Sequence, residues 1–177
     1  MNILHDITPG KNAPEIITTI IEIPAKSHNK YEIDKRTSLL KLDRVLHSAV
    51  HYPGNYGFIP QTHCDDEDPL DVIILGEDSL YPLTMCDVRP IGVIRMIDGG
   101  EQDDKIIGVL VHDPENKNIT DISDVDEHKI AVIKHFFETY KLLEKKTVEI
   151  TAIEGAQQAK EVINEAMKLY EKEFDKQ

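Results

Sequence analysis

The sequence contains few cysteines and no long apolar segment. Its two cysteines, Cys64 and Cys86, have no CxxC spacing, which excludes a zinc-binding cysteine framework and is typical of a reducing compartment. The longest apolar runs are short ones such as VIIL and IIGVLV, whereas a membrane-spanning helix needs about 18 apolar residues. Residues 1–15 have neither the basic start nor the apolar centre of an export signal. We therefore expect a cytoplasmic protein without a membrane span.

Positive charge and phosphate-binding motifs are also scarce. Lysine and arginine total 20 against 33 aspartates and glutamates, a net charge of −13 that disfavours nucleic acids as partners and favours cations. No GxxxxGK[ST] loop occurs, which argues against a nucleotide as the natural substrate. The eight histidines show no HExxH spacing, so His51, His63 and His135 are interpreted as packing or interface residues.

The hydrophobic residues, 40% of the chain, are spread along its whole length and predict one domain over residues 1–177. Amphipathic periodicity predicts two helices, over residues 130–144 and 155–174, that pack over the strands. The polar residues 112–129 are predicted to be a loop. Short segments rich in β-branched residues predict seven strands, and many short strands favour a small barrel. These strands are Glu15–Ile23, Lys30–Asp34, Leu39–Leu46, Asp71–Leu75, Val88–Ile97, Lys105–Val111 and Thr147–Ile153.

The segment DDEDPLD, residues 65–71, places five carboxylates in seven positions. Two carboxylates about 5 Å apart repel by roughly 3 kcal/mol at an effective dielectric near 20, so either water or a cation must compensate them. Strand alternation puts Asp66 and Asp68 on one face, and a turn at Pro69 would bring Asp71 to the same point. Oxygen ligands of this kind suit Mg²⁺. An EF-hand Ca²⁺ loop is excluded, because its sixth position requires glycine and Asp71 stands there.

A second acidic loop, DGGEQDDK at residues 98–105, lies between two predicted strands. A hairpin alone explains its glycines. Asp98, Asp103 and Asp104 nevertheless repeat the arrangement of carboxylates at a strand end. We expect the two acidic loops to face one another across a barrel mouth and to form a metal site.

Aromatic and basic residues lie near these loops in the sequence. The stretch HYPGNYGFIP, residues 51–60, carries Tyr52 and Tyr56 and is predicted to be irregular because of its Pro, Gly and Asn content. A phenol at the rim of a site can donate a hydrogen bond to an anionic oxygen. Lys30, Arg44 and Lys141 are candidate anion contacts, although each alone is typical of a surface charge.

Six segments resemble the soluble inorganic pyrophosphatases of family I, in the same order and across nearly the whole chain: IEIP, KYEID, LDRV, YPGNYGFIP, DEDPLDV and HFFETYK. The signature of that family is Asp, a variable residue, Asp, Pro, an aliphatic residue, Asp and an aliphatic residue, and residues 66–72 match it. The variable position is usually small or short in these enzymes, whereas here it is Glu67. We expect the Glu67 side chain to point away from the carboxylate cluster.

The resemblance implies an α+β fold with a small closed five-stranded barrel of OB-like type, additional strands, and two C-terminal helices packed outside. It implies hydrolysis of pyrophosphate, bound as its magnesium complex, to two orthophosphates by a metal-activated water without a covalent intermediate. Mg²⁺ is the implied cofactor, with Mn²⁺ or Zn²⁺ as substitutes, and the bacterial members are commonly hexamers, so a homo-oligomer is expected.

The resemblance also assigns site residues. Asp68 resembles the general base, and Tyr56, Lys30 and Arg44 are expected to take part in catalysis. The implied metal-binding residues are Asp66, Asp71, Asp98 and Asp103, supported by Glu22 and Glu32. The implied substrate-binding residues are Lys30, Arg44, Tyr52, Tyr56, Lys105, Tyr140 and Lys141.

Two alternative functions are compatible with the same residues. The first is a non-catalytic β-barrel module in which the acidic loops hold Ca²⁺ and the tyrosines face a protein partner, but it leaves the basic residues unexplained. The second is a Mg²⁺-dependent hydrolase of another phosphoanhydride. Phosphate release from pyrophosphate, with and without Mg²⁺, distinguishes these alternatives.

Overall fold

Nine strands and two α-helices form in residues 2–174, the part of the chain that this computed structural model describes. All seven predicted strands and both predicted helices are present, and two short strands were not predicted. The strands are β1 (Ile17–Ile23), β2 (Asn29–Ile33), β3 (Leu40–Val45), β4 (Asn55–Phe58), β5 (Asp71–Leu75), β6 (Met85–Asp98), β7 (Glu101–Gln102), β8 (Lys105–Leu110) and β9 (Val148–Gly155). The helices are α1 (Glu127–Thr139) and α2 (Ala156–Phe174).

Five of the strands close into a barrel. The hydrogen-bonded order runs β1, β4, β5, β8, β6, and β6 pairs back onto β1, so this ring has no free edge. The β5–β8 pairing is parallel and the other four pairings in the ring are antiparallel. The predicted closed five-stranded barrel is therefore confirmed. Outside the ring, β9 and β7 pair with β6, and β2 and β3 form a separate two-stranded sheet.

Both helices cover the barrel, as the sequence predicts. Successive residues of β5 alternate between two buried clusters, because strand side chains point to opposite faces. Ile73 belongs to the cluster that includes Phe136 and Phe137 of α1, whereas Val72 belongs to the cluster that includes Ile163 of α2. Fully burying side chains of this size contributes roughly 2 kcal/mol each. None of the helices within residues 2–174 is long and apolar enough to cross a membrane.

The prediction that residues 51–60 are irregular was wrong, because Asn55–Phe58 forms β4 of the barrel. Gly57 makes this pairing possible, since a Cβ atom there would lie 1.9 Å from the Ile20 carbonyl oxygen of β1. The side-chain Oδ1 of buried Asn55 accepts hydrogen bonds from the backbone of Ala25 (2.9 Å) and Leu80 (2.8 Å). Gly57 and Asn55, whose residue types are typical of turns, therefore allow and stabilise a close strand pairing here.

The polar connection before α1 is a loop, as predicted, and contains two short 3₁₀ turns at Pro114–Asn116 and Ile122–Asp124. Asp126 begins α1 by accepting a hydrogen bond from the His128 amide. Asp121 Oδ2 accepts a bond of 2.8 Å from the Ala156 amide at the start of α2. The loop thus ties the beginnings of both helices together.

Candidate active site

The parallel pairing of β5 and β8 builds the centre of the candidate site. It places Asp71 and Lys105, the first residues of the two strands, directly beside one another. Lys105 Nζ lies 2.5 Å from Asp71 Oδ2 and also contacts Asp103 Oδ1. The Tyr56 hydroxyl on β4 donates to Asp71 Oδ2 at 2.7 Å. The two acidic loops therefore face one another, as the sequence predicts, with a lysine between them.

A cavity of about 440 Å³ opens at this point. It is shared by the barrel strands, the β2–β3 sheet, both acidic loops and the residues that follow α1. Twelve of the fourteen predicted site residues line it: Glu22, Lys30, Glu32, Tyr56, Asp66, Asp68, Asp71, Asp98, Asp103, Lys105, Tyr140 and Lys141.

The cavity carries charge of both signs, with negative charge in excess. Besides the predicted residues, Asp34, Lys35 and Lys41 also line it. Its wall thus has eight carboxyl groups and five ammonium groups, which leaves an excess of three negative charges when all are ionised. A cavity of this kind attracts cations, and its ammonium groups can contact an anion that arrives with them.

Burial and mutual repulsion change the proton affinities of these groups. Burial, helped by the charge of Asp71, raises the pKa of Glu22 to about 8, although the Ile33 amide donates to its Oε1 at 2.7 Å. Burial also raises the pKa of Asp66. Lys105 is buried too, but the charges of Asp71 and Asp103 outweigh the burial and raise its pKa, so it stays an ammonium.

Lysines pair with five of the eight carboxyl groups that line the cavity, including Asp68, which binds Lys35. Lys141 pairs with Asp98 and Lys30 with Glu32, in addition to the contacts of Lys105. Consistent with this, no group of three acidic, histidine or cysteine side chains in residues 2–174 converges with metal-ligand geometry. The donor chemistry still fits a hard divalent cation, because the ligands available are carboxylate oxygens and the cavity is negative overall.

Arg44 and Tyr52 are the two predicted site residues that do not line the cavity. Arg44 lies beside Lys30 across the β2–β3 pairing and binds Asp43 and Glu144, the latter at 3.0 Å between Nε and Oε1. Tyr52 is buried behind Tyr56, with the two ring centres 5.4 Å apart. Their roles at the substrate stay predictions.

Asp104 and Glu67 face away from the acidic cavity. The Asp104 carboxylate binds Arg95 at 2.7 Å, because neighbouring residues at the strand end point to opposite sides. Among the acidic residues of the second loop, only Asp98 and Asp103 line the cavity. Glu67 lines a neighbouring cavity with His5 and His63, which agrees with its expected orientation.

Lys35 is a site residue that the sequence reasoning missed. It follows the KYEID strand directly, and its Nζ lies 2.5 Å from Asp68 Oδ1. In the sequence it has the appearance of an ordinary surface lysine, since its partner is 33 positions away. Its proximity to the segment with the family signature becomes apparent only once the β2–β3 turn and the acidic loop are folded together.

The barrel and its cavity define a class of site in which carboxylates suited to divalent cations lie beside ammonium groups suited to a small anion. Comparisons with known proteins narrow this class. The family model described as inorganic pyrophosphatase matches residues 19–171. The soluble inorganic pyrophosphatase 2 of Chlamydomonas reinhardtii is 46% identical over 170 residues, 96% of this chain and 88% of that protein. The inorganic pyrophosphatase of Haloferax volcanii is 47% identical over 175 residues, 98% of this chain and 99% of that protein.

Solved structures agree with the sequence comparisons. The crystal structure of inorganic pyrophosphatase from Thermus thermophilus superposes with a TM-score of 0.93 at 40% identity, covering 97% of this chain and 99% of that one. The chain belongs to the inorganic pyrophosphatase family. The predicted family, fold class and enzyme class are thereby confirmed.

Proposed function

We propose that the protein hydrolyses magnesium pyrophosphate to two orthophosphates by direct attack of water, without a covalent intermediate. One observation carries this proposal: twelve residues from distant parts of the chain, of the types needed to bind metals and phosphate oxygens, line a single cavity. The family membership supports the same activity. It also argues against the non-catalytic Ca²⁺ module, which gave no role to the lysines.

Carboxylates on the acidic loops are the groups that would hold the metal. Asp66, Asp71 and Asp103 would bind the activating Mg²⁺, and Asp98 would help to hold the Mg²⁺ that arrives with substrate. Glu22 and Glu32 would support the cluster. When bound, the cation supplies neutralisation of these carboxylates and acidification of a coordinated water, and Mn²⁺ or Zn²⁺ could replace it. Lys105, which lies between Asp71 and Asp103, offsets their repulsion before the cation arrives.

Ammonium and phenol groups would bind the pyrophosphate oxygens. Lys30 and Lys141 line the cavity near its carboxylates and would release them when metal takes their place. Burial raises the pKa of Tyr56 and of Tyr140, so both phenols stay protonated and can donate hydrogen bonds to phosphate oxygens. The remaining proposed substrate contacts are Lys105, Arg44 and Tyr52.

Asp68 would accept the proton of the attacking water. Its side chain is 57% exposed at the cavity, so a proton can pass from it to solvent. Positive groups that face the departing phosphate would stabilise the charge that develops on its oxygens.

Phosphate release from pyrophosphate, measured with and without Mg²⁺, tests the proposal. We expect release that requires Mg²⁺ and that is much faster with pyrophosphate than with nucleoside triphosphates. Equal rates with nucleotides would favour a hydrolase of other phosphoanhydrides, and no release would favour the cation-binding module. Buffer with EDTA and a metal-depleted preparation provide the matched controls.

We also propose a cytoplasmic homo-oligomer, a hexamer by resemblance to bacterial members of the family. A cluster of exposed apolar side chains on one segment supports self-association: Tyr81 (86% exposed), Leu83 and Met85. Sedimentation velocity would test this, and a monomer at micromolar concentration would contradict it.

A further inference from the structure

Lys35 links the turn after β2 to the loop of residues 64–69, which precedes β5 and carries most of the first acidic segment. Its Nζ lies 2.5 Å from Asp68 Oδ1 and donates a hydrogen bond of 2.8 Å to the Glu67 carbonyl oxygen. The side chain lines both the acidic cavity and the neighbouring cavity that contains Glu67. A single ammonium group therefore holds two consecutive residues of the segment that carries the family signature.

The turn that carries Lys35 is firmly held. Asp34 Oδ1 accepts hydrogen bonds from the Thr37 amide at 2.8 Å and from the Thr37 hydroxyl at 2.7 Å. The Ser38 amide donates to the Asp34 carbonyl at 2.8 Å, and the Asp34 amide donates to the Leu39 carbonyl at 2.9 Å. Side-chain bonds of this kind stabilise a turn without help from a ligand. Lys35 thus extends from a defined anchor.

The acidic loop, residues 64–69, has a backbone conformation that is less favourable than that of the Lys35 turn unless other contacts support it. Glu67 has a φ of +65°, a left-handed conformation that residues other than glycine adopt at an energetic cost. Such a conformation persists where neighbouring contacts enforce it. Within the loop, the Glu67 amide bonds the Cys64 carbonyl and the Cys64 amide bonds the Asp68 carbonyl. Lys35 supplies the contact from outside the loop, at the Glu67 carbonyl and the Asp68 carboxylate.

We propose that Lys35 is a positioning residue that holds the Asp68 carboxylate toward the cavity. The inference rests on the proposed function, in which Asp68 accepts a proton from water. The ion pair engages Oδ1 and leaves Oδ2 for that proton. Both side chains are more than half exposed, so the pair adds little to stability, and its removal should affect turnover far more than folding.

Steady-state kinetics of three variants test the role. K35M should lower kcat for magnesium pyrophosphate roughly tenfold with less than about a twofold change in KM, because misplacing a reacting group reduces rate more than binding. K35R should recover most of the loss. K160M is the matched control, because Lys160 forms an ion pair of 2.5 Å with Glu15 and neither residue lines the cavity. This variant should have the kcat and KM of the wild type.

A double variant separates positioning from direct substrate contact. If Lys35 acts through Asp68, adding K35M to D68N should cause no further loss of kcat, since the two residues work as one unit. A full multiplicative loss, or a raised KM with unchanged kcat in K35M, would show that Lys35 contacts substrate and would overturn the proposal.

Hydrogen–deuterium exchange of the metal-free protein gives a readout that does not depend on activity. Amides of residues 64–68 should exchange several-fold faster in K35M than in wild type, while K160M should leave them unchanged. Unchanged exchange in K35M would refute the link. A wild-type protein that fails to hydrolyse pyrophosphate would refute the proposed function instead, and the exchange result would still decide whether Lys35 holds the loop.

Discussion

Replacing Glu22 with glutamine should remove a pH-dependent loss of stability. Glu22 is 9% exposed, and burial together with Asp71 raises its pKa from 4.5 to about 8 in the folded protein. The folded state therefore binds more protons than the unfolded state between these values, and the free energy of unfolding falls as pH rises from about 4.5 to about 8. At about 1.4 kcal/mol for each pKa unit, the full contribution is about 5 kcal/mol.

Urea unfolding of the metal-free wild type and E22Q, at several pH values and one protein concentration, measures this contribution. E22Q should gain roughly 1.4 kcal/mol relative to wild type for each pH unit between about 5 and 7. Glutamine keeps an oxygen acceptor for the Ile33 amide, so the comparison isolates the charge. E161Q, on helix α2, is the control for the substitution itself. A stability difference between E22Q and wild type that does not change with pH would refute the reasoning.

Four further substitutions test the site and the fold. D68N should lower turnover roughly 10²-fold without changing the circular dichroism spectrum, and near-normal turnover would remove Asp68 as the base. K105M should destabilise the metal-free protein by about 3–5 kcal/mol in chemical unfolding, because it leaves Asp71 and Asp103 unpaired, and a loss below about 1 kcal/mol would contradict that account. E67A should bind Mg²⁺ in calorimetric titration within about threefold of wild type, whereas a large change would place that side chain at the metals. G57A should lower the melting temperature strongly, since its Cβ would meet the Ile20 carbonyl, and unaltered melting would mean that β1 and β4 can separate.

The local pattern of the sequence was sufficient to predict four of the five barrel strands. Strand β5 was predicted with its observed bounds, because a run of β-branched residues has few alternatives to a buried strand. The amphipathic stripe of α2 likewise requires a helix with one buried face. β4 was missed, because Gly57 serves an interstrand contact that no local rule describes.

The candidate site shows the same division between local and tertiary information. The spacing of Asp66, Asp68 and Asp71 by itself indicates a cation-binding segment, since crowded carboxylates need compensation. Which further residues reach the cavity depends on strand register and on turns that join distant segments. These contacts place Lys35 at the cavity, although the local sequence does not distinguish it from a surface lysine. They also place the Asp104 carboxylate against Arg95, away from the cavity. Composition and spacing determined the kind of chemistry, whereas the parallel pairing of β5 with β8 decided which side chains meet, because only the folded chain sets distances between residues far apart in sequence.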